Sequence, residues 1–163
     1  IDQITGGAGA DTITGGAGAD VMSSGGGIDT FVFSSGDSQV VTVASGTTAL
    51  TTADIITAPS SGSVKINLAD MGSTIADVAV ASLTFGTTVM VGTTVNDILI
   101  MEGTLSAGKV FTAVADGTAG NTHTLIQVDT NGTTAGGIEN ILLVGVFDDT
   151  ASSIASEVLT LVI

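Results

Sequence analysis

Four aspartates, Asp2, Asp11, Asp20 and Asp29, recur at intervals of nine residues. Small residues fill the gaps: Gly6-Gly7-Ala8-Gly9-Ala10, Gly15-Gly16-Ala17-Gly18-Ala19 and Ser24-Gly25-Gly26-Gly27-Ile28. Two residues after each aspartate stands a large apolar side chain, Ile4, Ile13, Met22 or Phe31. Carboxylates beside glycine-rich turns offer oxygen donors only, the set a hard divalent cation takes. Glycine suits such turns because it reaches backbone angles closed to residues with a Cβ. A flexible Gly/Ala linker would account for the glycines. It leaves two series locked in the same phase, one acidic and one apolar, without a cause.

The pattern resembles the RTX nonapeptide, G-G-x-G-x-D-x-U-x, a calcium-binding parallel β-helix repeat. The resemblance implies that six residues form a turn and three a short strand, with U pointing into the core. It implies Ca2+ held by the carboxylates of Asp2, Asp11, Asp20 and Asp29 and by main-chain carbonyls of Gly6, Ala8, Gly15, Ala17, Ser24 and Gly26. Successive turns fall on opposite sides, so Asp11 and Asp29 are expected together and Asp2 and Asp20 together. Ser24 replaces the first glycine of its repeat, but a serine still supplies a carbonyl. Without the ion, stacked carboxylates over a thin core are expected to repel and unfold, so metal binding and folding become one event.

Past the repeats, Thr30-Phe31-Val32-Phe33-Ser34-Ser35-Gly36-Asp37-Ser38, Ala53-Asp54-Ile55-Ile56-Thr57 and Val64-Lys65-Ile66-Asn67-Leu68 resemble the exit of RTX C-terminal modules, as in serralysin-type proteases. Ser61-Gly62-Ser63 stands where that family carries acids before its I-x-L strand. The remainder reads as strand after strand, at 39–43, 63–68, 83–91, 97–101, 109–114, 123–129, 138–146 and 157–163. Residues 71–83 have apolar positions near helical spacing and could form one short helix. The fold class expected is all-β: a short parallel β-roll over 1–37, then a β-rich C-terminal module over 38–163, either sandwich-like or a continued β-solenoid. The loop from Asp129 to Gly137 is expected to be a hairpin turn, and Asp148-Asp149 a solvated acidic turn.

Composition narrows the function. The net charge is −14, with Lys65 and Lys109 the only basic side chains besides His123. Nucleic acids need a basic footprint, and anionic membranes repel an acidic surface. Of the 16 acids, 13 are aspartates, which favour turns and cation sites over helix faces. Cysteine is absent, which excludes disulfides and thiolate chemistry. No apolar run reaches transmembrane length. Neither H-E-x-x-H nor G-x-S-x-G occurs, and His123 is expected to be structural, so the chain is not expected to be an enzyme. Starting at Ile1 inside a repeat, it is expected to be the C-terminal piece of something longer.

Rich in Thr, Ala, Gly and Val and poor in Lys and aromatics, the composition resembles bacterial S-layer proteins. The expected role is a secreted, extracellular or cell-surface structural module that folds on calcium and self-associates. The acidic-then-apolar end, Ser156-Glu157-Val158-Leu159-Thr160-Leu161-Val162-Ile163, resembles the signal read by type I secretion machinery. The alternatives are the secretion module of an RTX protease or lipase and the tail of an RTX adhesin.

Overall fold

The computed structural model describes residues 1–41, 47–59, 62–71, 83–85, 98–114, 120–130, 137–145, 148–155 and 158–162. Among them are fifteen strands and no helix. The first four are β1 (Gln3–Thr5), β2 (Thr12–Ile13), β3 (Val21–Ser23) and β4 (Thr30–Ser34). They alternate between two sheets, β1 and β3 pairing in parallel on one side and β2 and β4 on the other. This is a β-roll, and it does not stop at residue 37. After β5 (Gln39–Val41) and β6 (Thr47–Ala49), β7 (Asp54–Thr57) adds to β3 in parallel, and β8 (Ser63–Asp70) adds to β4. Both sheets therefore run across the boundary expected between 1–37 and 38–163.

The later strands flank this roll. They are β9 (Leu83–Phe85), β10 (Ile98–Leu105), β11 (Val110–Ala113), β12 (His123–Asp129), β13 (Ile138–Val144), β14 (Asp148–Ala155) and β15 (Val158–Val162). One sheet has ten strands along the path β1-β3-β7-β13-β12-β10-β11-β6, with β5 on β13 and β9 on β10. The other runs β14-β15-β8-β4-β2.

The register turns the nine-residue apolar period into rows. Ile4, Met22, Ile56 and Leu143 are successive partners across the first sheet. Ile13, Phe31, Ile66 and Leu159 are successive partners across the second. Both rows belong to one core cluster between the sheets. Each buried aliphatic or Phe side chain there contributes roughly 1.5–3 kcal/mol. Strands β4 and β8 alternate buried and half-buried positions, as expected with one face turned to water. In β10, β12 and β13 nearly every residue is buried. A second cluster, with Leu99, Met101, Leu125 and Leu142 packed beside Leu50 and Phe111, covers their other face. That double burial explains the unbroken run Ile98-Leu99-Ile100-Met101.

Several expectations need correction. Strands β6 and β7 fall where none was expected. Asp148 and Asp149 begin strand β14, which pairs Asp148 with Val162, and do not form a loop turn. Most of the helix expected over 71–83, most of the strand expected over 83–91 and the centre of the 129–137 loop lie outside the described residues.

Phe31, fully buried, joins the roll to β8. Phe31→Ala is expected to cost about 3–5 kcal/mol in denaturant unfolding. Ile28 is 50% exposed, and Ile28→Ala is expected to stay within about 0.5 kcal/mol.

Candidate metal centre

The turns between roll strands place the aspartates in two stacks. On one side the Asp11 N–H donates to Asp29 Oδ1 at 2.8 Å. On the other the Asp2 N–H donates to Asp20 Oδ1 at 2.7 Å, and the Asp20 N–H donates to Asp54 Oδ1 at 2.7 Å. Asp20, Asp29 and Asp54 are at most 1% exposed. One oxygen of each carboxylate thus accepts a main-chain hydrogen bond from the neighbouring rung. The Oδ2 atoms of Asp20, Asp29 and Asp54, and that of Asp11, are buried with no hydrogen-bond partner. Buried anionic oxygens left this way are costly, and a cation or a proton relieves the cost.

The backbone around them makes room for an ion. A Cβ at Gly6 would lie 2.6 Å from the Ser24 carbonyl oxygen and 3.0 Å from Asp11 Oδ2. One at Gly15 would lie 2.8 Å from Asp20 Oδ2. Glycine is needed at both places for space. Turns 6–11 and 24–29 also touch directly: the Gly26 N–H donates to the Gly7 carbonyl and the Gly9 N–H to the Gly26 carbonyl, each at 2.7 Å. Ala8 opposes Gly26 in an isolated parallel bridge. The Gly26 carbonyl keeps a second lone pair for an ion. Gly15 and Ala17 belong to the opposite turn, whose Gly18 N–H donates to the Asp37 carbonyl at 3.1 Å.

Among the described residues, no three or more acidic or histidine side chains converge as a ready-made cage. The donor set is one carboxylate per turn plus carbonyls, which suits Ca2+ with its six to eight oxygens. Structure thus brings Gly6, Ala8, Asp11, Ser24, Gly26 and Asp29 to one side. Asp2, Gly15, Ala17 and Asp20 lie on the other. Asp54, absent from the expected set, completes the second side as its third rung. Its signal is the run Asp54-Ile55-Ile56-Thr57, which repeats the D-x-U-x order of Asp20-Val21-Met22-Ser23. Asp2 and Asp20 are 18 residues apart and Asp20 and Asp54 are 34 apart, so an insertion breaks the phase.

Residues 1–31 match the RTX calcium-binding nonapeptide repeat, in four copies. The resident ion of the RTX turns is calcium. A solved structure similar to the chain is the AlgE6R3 subunit of the Azotobacter vinelandii mannuronan C5-epimerase, in solution. It is 22% identical, with a TM-score of 0.44, over 88% of this chain and 60% of that one. This chain therefore spans less than two thirds of that chain's length. No curated protein matches.

Asp54 holds its charge poorly. Burial raises the Asp54 carboxyl from 3.8 to about 7, against its hydrogen bond from Asp20, and the charges of Asp20, Asp37 and Glu139 add to the rise. A carboxyl raised in the folded state keeps a proton that the unfolded chain releases. Stability from that proton is complete below about 3.8 and is lost as pH rises through about 7. In chelator, circular dichroism is expected to show more β-structure at pH 5 than at pH 8. Asp54→Asn is expected to flatten this dependence and to raise the folded fraction at pH 8.

Proposed function

We propose that this chain is a calcium-gated folding and structural module of an extracellular RTX protein, and that it works without catalysis. The observation that carries the reading is the pair of aspartate stacks with buried oxygens left open for an ion. In a compartment poor in free calcium the stacks stay charged and the roll stays open, a state suited to export through type I secretion machinery. Outside, calcium at the roughly 10⁻⁴–10⁻³ M affinity of extracellular modules closes the turns. Asp2, Asp11, Asp20 and Asp29 supply carboxylates, and Gly6, Ala8, Gly15, Ala17, Ser24 and Gly26 supply carbonyls.

Self-association into a surface layer is part of this proposal, and the sheet edges support it. Strand β14, eight residues long, ends its sheet among the described residues. Edge strands present unpaired main-chain groups and join laterally to other chains. The strong negative charge keeps subunits apart until calcium neutralises them.

A calcium titration followed by circular dichroism, with magnesium as control and sedimentation on the same samples, tests the proposal. The expected result is a calcium-specific rise in β-structure with growth in particle size. A spectrum indifferent to calcium after chelation would refute the switch, and a strictly monomeric calcium form would refute the assembly role. Asp11→Ala combined with Asp29→Ala is expected to move the calcium midpoint at least about tenfold. Asp148→Ala, on the far edge strand, is expected to leave it in place.

A further inference from the structure

Glu139 belongs to none of the RTX turns, yet it is buried at 0% exposure in β13. The β13 edge explains its position. Residues Ile138 to Asn140 pair antiparallel with β5, and Ile141 to Val144 pair in parallel with β7. Ser38 fills the junction: its hydroxyl donates to the Asn140 carbonyl at 2.6 Å and accepts the Asp54 N–H at 2.9 Å. Asp54 opposes Ile141, and Glu139 lies two residues before Ile141. Asp54 and Glu139 therefore share a face as diagonal neighbours, near enough for the Glu139 charge to act on Asp54.

Each carboxylate has donors on one side, and the Ser35 side chain and Ser38 main chain also help to hold Glu139 as an anion. Asp54 Oδ1 accepts the Asp20 N–H, and Glu139 Oε1 accepts the Gly36 N–H at 2.7 Å. Asp54 Oδ2 and Glu139 Oε2 are buried without a hydrogen-bond partner. The charges acting on Asp54 are those of Asp20, Asp37 and Glu139, all negative.

We propose that Asp54 and Glu139 share one divalent cation at the seam where the roll meets the later strands, so that the third rung of the second stack takes its second carboxylate from outside the repeats. Two carboxylates do not make a cage, so main-chain oxygens of the exit turn 34–38 complete its shell. The choice of calcium rests on the reading above, whereas the site rests on its own residues. Its consequence is a lock: the same ion that closes the last rung of the roll fixes β13, and with it the later strands, to the roll.

Anomalous diffraction from crystals of the wild-type chain grown in calcium tests this without mutation. The expected result is a peak within about 2.3–2.6 Å of Asp54 Oδ2 and Glu139 Oε2. Peaks confined to the two aspartate stacks, with none within that distance of Glu139 Oε2, would overturn the seam site and leave the RTX reading standing. A map without calcium peaks would overturn both. Native mass spectrometry of ions bound at saturating calcium gives a second readout. Glu139→Gln and Asp54→Asn are each expected to lose the same ion, and the double variant no further ion from the seam. Asp11→Asn with Asp29→Asn is expected to keep the seam ion. An unchanged ion count in Glu139→Gln would contradict the proposal, and if that variant does not fold, the anomalous map decides.

Discussion

The structure depends on stacked aspartates, of which Asp20, Asp29 and Asp54 are buried with one carboxylate oxygen each left unsatisfied. Neighbouring strands lie about 4.8 Å apart. Two carboxylates at about 5 Å repel by roughly 3 kcal/mol at an effective dielectric of 20. The rung hydrogen bonds from Asp2, Asp11 and Asp20 fix the carboxylates in this arrangement without neutralising them. A bound ion reverses the sign of the row: at a hundred times its Kd a single site adds about 2.7 kcal/mol to the folded state. That is a large share of what a small domain has to spare. Folding thereby becomes a report on the calcium around the chain.

The apolar rows alone make a thin core, and the later strands thicken it. Leu143 and Leu159 continue the rows of Ile56 and Ile66, so β13 and β15 extend the two sheets at the registers set by the repeats. The polar network at the seam is continuous: Gln127 donates to the Asn140 side chain, Ser38 to the Asn140 carbonyl, and Asp54 to Ser38. A break in ion binding at the roll thus reaches the flanking sheet through packed and hydrogen-bonded groups.

How much of this was legible depended on phase. The nine-residue period made both the Asp pairs and the apolar rows readable, because a constant period maps directly onto a constant rise of the roll. Asp54 falls out of the nine-residue phase because the chain loops out through β5 and β6 before re-entering the roll, although its local D-x-U order survives. The strands expected at 97–101, 123–129 and 138–146 are readable from their runs of apolar residues, and β10 continues past Met101 to Leu105. Their place beside β7 is not readable, since pairing between distant strands leaves no local mark. Nothing near Glu139 in the chain sets it apart from a surface acid; only the split edge of β13 buries it. Asp148 and Asp149 read as a turn because adjacent aspartates favour turns, and pairing with β15 overrode that preference.

The most direct test is amide hydrogen exchange at Asp2, Asp11 and Asp20, whose N–H groups donate to the carboxylates of the neighbouring rungs. The account predicts protection of Asp11 and Asp20 in calcium and its loss in chelator or magnesium. Equal protection of Asp11 and Asp20 with and without calcium would show that the stacks close by themselves, and would contradict the claim that the ion makes the fold.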